Sequence, residues 1–497
     1  VELSLNALVE QMDDHLCEQA TQRWRAFSGA AAEVPAVTEL PELTRRDAFQ
    51  AVSELIDSPR SDEGKRGRLV LLRRELARRF VKSRGLAQAP GLEAAVALET
   101  FVSTSARWTP AGALRELPRI VQRELRDRLE RDLTQALWDR RDLWVRRVDA
   151  ELQAMHALAA EPTGLVELVH GRPLAPRQAQ AAALLRDTAD AWRDLLGYAL
   201  KRLAPELTLR HARLHDVQRA VEAPWLAELF RREDLPHAVT RCLGDLGLHP
   251  SADGRISVDQ GPRDGQPPGA HLFELRVPDE LRLALQPALG LSTYAAWLGG
   301  WGTALSRAHV GQALPFVERR LGDRAVVLAT GQLFSSFLLQ EGWLKRYLRH
   351  TAAQAREAAR LFALFQLMAL RRDAAVTLAL PELLARGPER ALTGELSPRL
   401  SDALGVEVPP GRALLDLDPL GDTALALDAW ALEGRVTQTL TERFNEDFFR
   451  NPAVGRWLVG WWGAGQRADA AQVAAALGDP VLDAQRAGRR RVVVLGA

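Results

Sequence analysis

The segment HARLH, residues 211–215, sets His211 and His215 four apart, the spacing with which a helix turns two imidazoles toward one metal ion. Ala212, Arg213 and Leu214 lie between them, so no glutamate is at hand to activate a water, and a cation stands between the ligands. A solvated or packed histidine pair is the better reading. His309 and His350 are isolated and read as structural. Cys17 and Cys242 have no metal-binding spacing and read as reduced, buried thiols. The sequence contains no Gly-x-Ser-x-Gly elbow, phosphate-cradling loop or cysteine cluster, and only three tyrosines, Tyr198, Tyr294 and Tyr347. By standard motifs this chain has no active site.

One stretch nevertheless needs an explanation. LGGWGTALSRAHV, residues 298–310, carries apolar residues at helical spacing, yet Gly299, Gly300 and Gly302 crowd its start. Each glycine costs a helix about 1 kcal/mol relative to alanine.

The elements around this stretch follow from hydrophobic period. Upstream, residues 250–270 form a Gly/Pro/Asp-rich loop, and residues 272–286 alternate with a period of two on either side of Pro278-Asp279, which predicts a β-hairpin. The terminal RRVVVLG is a further candidate strand. A helix over 295–309 follows the hairpin, then helices over about 323–350 and 352–370 and a helical C-terminal array. The N-terminal third reads as successive helices, with Leu69, Leu72, Leu76 and Phe80 forming one stripe. Pro and Gly at 160–164 and 170–178 suggest a lobe boundary, hence an N-terminal helical lobe, 1–165, and a second lobe, 166–497. The expected class is mainly α, a large two-lobed helical shell with a small β-hairpin or sheet beside a central channel.

Composition narrows the function classes. Of the 497 residues, 65 are basic and 64 acidic, and a net charge of +1 offers no field for steering nucleic acid or an anionic membrane. The basic residues are nearly all arginine, the only lysines being Lys65, Lys82, Lys201 and Lys345, as a GC-rich bacterial coding sequence would give. No apolar run reaches membrane-spanning length, and the N-terminal amphipathic pattern has no basic leader, so a cytoplasmic location is expected. The sequence does not fix the oligomeric state, and the absence of an initiator Met leaves a removed upstream segment open.

The order of elements, the ending ALSRAHV and the C-terminal block ERFNEDFFRNPAVGRWLVGWWGAGQ resemble the thimet oligopeptidase and oligoendopeptidase F family of zinc peptidases over roughly residues 250–475. That resemblance implies a zincin-like shell whose hairpin is followed by an HExGHALH-like zinc helix. In the matching register the first zinc histidine falls on Gly299, the general-base glutamate on Gly300 and the second histidine on Thr303. The third ligand falls on Leu328 and a later glutamate on Ser335. Asp422 and Ala429 stand where the family's tyrosines would be. Three protein donors are needed to hold a catalytic zinc, so no zinc and no catalytic residue are expected.

Three readings follow. The first is an inactive peptidase-like protein, a pseudoenzyme, that binds a peptide or protein partner in its channel. The second is an enzyme with reassigned chemistry, drawing on His309, Asp418, Asp422 or Glu433. The third is a helical scaffold whose channel has filled, with Trp297 and Trp301 occupying the space beside the lost ligands. Trp297, Trp301, His309, Asp418 and Asp422 are the ligand-binding candidates. Trp457, Trp461 and Trp462 form either an interaction surface or aromatic core.

Overall fold

The structure is a computed structural model that describes residues 5–29, 40–58, 62–263, 266, 268–479 and 481–496. In chain order, the helices that matter for function are α1 (Leu5–Phe27), α2 (Arg123–Trp138), α3 (Leu214–Glu222), α4 (Leu291–Ala308), α5 (Arg324–Ser335), α6 (Ala352–Arg386), α7 (Asp422–Phe444) and α8 (Pro452–Gly463). The strands are β1 (Phe101–Ser103), β2 (Ala106–Trp108), β3 (Ile256–Asp259), β4 (Gly269–Arg276) and β5 (Glu280–Gln286). Helices dominate, and no helix among the described residues is long and apolar enough to cross a membrane.

Two compact units emerge, each assembled from separated stretches of chain. Unit 1 comprises Val1–Phe80, Ala227–Ala359 and Asp428–Asp483, and unit 2 comprises Val81–Leu226, Arg360–Leu427 and Ala484–Ala497. The Pro/Gly punctuation at 160–164 lies wholly inside unit 2, where it links the helices Arg141–Leu158 and Pro162–His170. Pro162 occupies the first helical turn, where a missing N–H breaks no bond, so it marks a helix start rather than an edge between lobes.

The predicted hairpin is present, with β4 and β5 antiparallel in the register His271↔Ala284 and Leu272↔Leu283. A third strand joins it. β3 pairs in parallel with β5 inside the stretch read as a loop, giving the order β3-β5-β4. Four residues are too few to announce a period, and the partner that orders them is distant in sequence. The β1–β2 hairpin was equally silent. Its turn residues Thr104 and Ser105 both adopt positive φ, 52° and 64°, without the glycine or asparagine that usually signals such a turn.

RRVVVLG is not a strand but the end of the helix Ala484–Gly496, which packs on the helix Leu174–Asp187 of the same unit. Arg491 is fully buried there, its Nε donating to Gln366 Oε1 at 2.9 Å, so tertiary contact overrides the β preference of the valines. The Leu69, Leu72 and Leu76 stripe packs with Met12, Leu43, Val52, Ile56 and Phe316 in the core of unit 1.

The glycine-rich stretch forms α4. The helix expected over 323–350 is broken: α5 starts on an Asp323 cap, whose Oδ1 accepts from the Ala325 N–H at 2.9 Å, and ends at Ser335 before a short 3₁₀ turn. The next helix, α6, runs well past residue 370 to Arg386.

Candidate functional site

Two faces of α4 explain its glycines. One face lies on the sheet. Alternate residues of β4 point to opposite sides, so His271 and Phe273 meet α1 while Ala270 and Glu274 meet α4. On the α1 side, Phe27 makes tilted ring contacts with His271 and Phe273 at 5.0 and 5.2 Å between centroids, and Trp24 meets Phe273 at 5.3 Å. On the α4 side, Arg307 grips Glu274 with Nη2···Oε2 at 2.6 Å and Nε···Oε1 at 2.9 Å. Burial alone would raise the Glu274 carboxyl; Arg307 and Arg320 overcome it and hold the group below its ordinary value. At Gly300 the fit is so close that a methyl group would sit 2.3 Å from the Cβ of Ala270.

The other face packs backbone to backbone on α5. A methyl at Gly302 would lie 2.7 Å from the Thr330 carbonyl oxygen and 2.9 Å from the Phe334 ring, and one at Gly299 would lie 3.2 Å from the Gly331 carbonyl oxygen. From the opposite helix, a methyl at Gly331 would lie 2.7 Å from Thr303 Oγ1. The glycines therefore exist because two helices and a strand approach more closely than side chains allow. The signal was present in sequence as paired small residues four apart, Gly299 with Thr303 and Gly331 with Ser335, but only the structure shows that the pairs face each other.

The hydroxyls in this seam are turned inward. Thr303 Oγ1 donates to the Gly299 carbonyl at 3.0 Å and Ser335 Oγ to the Gly331 carbonyl at 3.1 Å, each along its own helix. Leu328 is 44% exposed. One turn further along α5, the buried Gln332 Oε1 accepts no hydrogen bond. Sequence reasoning did not single out Gln332, since a lone glutamine carries no motif.

These positions do not fit a zinc ion. Gly299, Gly300 and Leu328 bring no donor, the Thr303 hydroxyl is committed to its helix, and a side chain at 300 would collide with Ala270. Among the described residues, no group of three or more His, Cys, Asp or Glu side chains is placed to hold a metal.

The other candidates lie elsewhere. Trp297 and Trp301 are 1% and 4% exposed, and Trp297 Nε1 donates to the Gln286 carbonyl at 3.2 Å, so both rings belong to the core. His309 caps the end of α4 and stacks on Trp462 with centroids 6.0 Å apart. Its Nε2 is buried without a partner, and burial, aided by Arg255, pushes its pKa below the ordinary histidine value. Trp462 is buried, whereas Trp457 and Trp461 are half-buried with centroids 5.8 Å apart. Asp418 and Asp422 belong to unit 2, while His309 and Glu433 belong to unit 1. Asp418 Oδ2 accepts from the Thr423 N–H at 2.9 Å and from its hydroxyl at 3.2 Å, capping the start of α7. Burial, then repulsion from Asp422, raises the Asp418 carboxyl. Glu433 is fully buried and accepts from Thr437 Oγ1 at 3.0 Å.

His211 and His215 do not share a helix face. α3 begins at Leu214, so His211 sits in the preceding turn, exposed beside Thr208, while His215 is fully buried. His215 Nε2 lies 2.7 Å from Asp127 Oδ1, and its Nδ1 lies 3.2 Å from Asp216 Oδ1. Asp216 also accepts from Arg126 Nη2 at 2.9 Å and Arg123 Nη2 at 3.0 Å. Burial would raise the Asp216 carboxyl, but the hydrogen bonds from His215, Arg123 and Arg126 hold it well below the carboxylate range. The cluster is a saturated ionic clamp between α2 and α3. Both cysteines are free; Cys242 is buried, which pushes its thiol up to about 12.

No family model matches the sequence, and no curated protein matches it. Solved structures do. The chain is similar to the M32 carboxypeptidase from Deinococcus radiodurans R1, with a TM-score of 0.61 and 13% identity over 98% of each chain. The chain shares the overall fold of that carboxypeptidase. A putative peptidase from Chlamydophila abortus is similar as well, with a TM-score of 0.59 and 10% identity over 90% of this chain and 81% of that one. At such identities the shared property is the fold, mainly helical with a small sheet.

Proposed function

We propose that this is a degenerate zinc peptidase of the thimet oligopeptidase and oligoendopeptidase F kind, a pseudoenzyme that holds an extended peptide without cutting it. The observation that carries the reading is the close packing at Gly299 and Gly300, where the Gly331 carbonyl and the Ala270 methyl fill the space that a ligand and a base would need. A site that has merely lost its donors leaves a hole; here a glutamate at 300 has no room. No zinc is bound in this reading, and no residue serves as general base.

The remaining capacity is for binding. β4 is an edge strand, hydrogen-bonded on one side to β5, and an extended peptide added to its free edge gains main-chain hydrogen bonds. Gln332 Oε1 supplies an unfilled acceptor for a peptide N–H, which offsets the cost of leaving a buried carbonyl unmatched. The near-zero net charge suits a peptide or protein partner rather than a nucleic acid.

The test combines three measurements on the purified protein: zinc content by mass spectrometry, cleavage of an internally quenched peptide library, and calorimetric titration with extended peptides. The expected result is substoichiometric zinc, no cleavage, and saturable binding that weakens about tenfold in Gln332→Leu. Stoichiometric zinc with cleavage overturns the inactive reading, and no binding by any peptide overturns the binding one.

A further inference from the structure

Unit 2 contains a cavity of about 420 Å³, within the size range of small-molecule sites. Its walls come from regular helical spacing. Phe365, Met368 and Arg372 project from one face of α6, and Leu214, Gln218 and Val221 from one face of α3; Leu400 and Leu415 complete the apolar lining. The walls would bury an aliphatic or aromatic body of modest size.

Polar side chains interrupt this lining at five residues, Gln218, Glu222, Arg372, Arg412 and Asp416. Arg412 is 5% exposed, and its Nη1 donates to Glu130 Oε1 at 3.1 Å. A guanidinium has five N–H donors, so most of its capacity remains beside the cavity it lines. Arg372 pairs with Asp416, whose carboxylate also lines the cavity. Gln218 Oε1 is buried and accepts no hydrogen bond. The cavity thus offers unfilled donors at Arg412 and an unfilled acceptor at Gln218, with the Arg372–Asp416 pair alongside them.

Gln218 Oε1 is buried without a partner, which is costly, and Arg412 has further donors to give, so a ligand that matches both groups gains most. A fatty carboxylate would meet Arg412 and leave Gln218 unmatched, and an alkyl amine would do the reverse. Both signs of charge flank the lining, Arg372 and Arg412 beside Asp416 and Glu222, with Glu130 bonded to Arg412. A head of net charge zero carrying both a donor and an acceptor is what remains. We infer that this cavity binds a free apolar α-amino acid, its carboxylate toward Arg412, its ammonium toward Gln218 and Asp416, and its side chain among Phe365, Met368 and Leu400. This inference is independent of the peptide reading, which concerns unit 1.

The experiment is calorimetric titration of the full chain with L-phenylalanine and L-leucine, alongside phenethylamine and 3-phenylpropionate, which each keep one half of the head. The amino acids bind saturably below about 10 mM, and each half-headed analogue binds at least about tenfold more weakly. Gln218→Met keeps the shape while removing the acceptor and weakens phenylalanine about tenfold. Ala369→Trp, which fills the cavity from the lining, abolishes binding while the far-ultraviolet dichroism is retained. Absence of amino acid binding, equal affinity for either half-headed analogue, or unaltered affinity in a folded Gln218→Met protein each overturns the inference.

Discussion

The α4–α5 seam and the α2–α3 ionic cluster are opposites. The seam is built by removing side chains: Gly299, Gly302 and Gly331 let backbone meet backbone, and its hydroxyls bond along their own helices. The cluster is built by adding them: Arg123, Arg126, Asp127, His215 and Asp216 saturate one another, with His215 and Asp216 fully buried. A search for reactive residue types finds the cluster, yet its groups are already mutually occupied. The seam has none of those types, and it is where the fold of the peptidase neighbours is combined with glycines, a threonine and an unmatched amide. Titratable density therefore marks architecture here, and the functional question sits where titratable groups are missing.

The comparison breaks most sharply at Asp216. Replacing it by alanine strands Arg126 in the interior and Arg123 beside it, and costs about 3–5 kcal/mol of stability. The midpoint of urea unfolding reads this directly; an unchanged midpoint would mean the cluster clamps nothing. In the seam, Gly302→Val drives methyl groups into the Thr330 carbonyl and the Phe334 ring, and overpacking of that kind costs about 1–3 kcal/mol. A neutral outcome in the same assay would show that α4 and α5 can separate at little expense.

A pH titration sharpens the contrast. Because the native Asp216 carboxyl is held below its unfolded value, its stabilisation is fully present above about pH 4 and is lost as pH falls below that toward the native pKa. Acid unfolding of the parent protein should be steeper below about pH 4 than that of Asp216→Ala, while Gly302→Val should keep the parent's slope. Glycine substitution without a close neighbour is the control. A methyl group added at Gly460 in α8 would meet nothing within 4 Å, so Gly460→Ala should stabilise by about 0.5–1 kcal/mol. Last and smallest, Leu328→Ser at a 44% exposed position should stay within about 0.5 kcal/mol in thermal melts, confirming that this side chain carries no structural burden.

Local periodicity made much of this fold legible. The hairpin reads from strict alternation on either side of Pro278-Asp279, and α4 and the Leu69–Leu72–Leu76 stripe read from helical spacing. What escaped depended on distant partners. β3 is ordered by β5, the valines of the last helix by the packing of its neighbour, and His215 by Asp127, which is 88 residues away in sequence. His211 and His215 show how spacing misleads when the helix begins between the two residues. Sequence leaves Trp297 and Trp301 open between lining a ligand site and filling space, because it does not say which face of a helix with apolar residues all round meets open space; in the structure both are buried.

By itself the sequence determined that donors are absent: no histidine precedes His309 on α4 and no carboxylate occupies positions 299, 300, 303 or 328. Residue type decides whether a group can ligate or move a proton, and no fold restores a missing imidazole. Only the tertiary structure decided what surrounds these positions. That Gly300 lies against Ala270, that Gly302 lies against Thr330 and that Gln332 Oε1 accepts no hydrogen bond are matters of distance between packed segments, which no residue type announces.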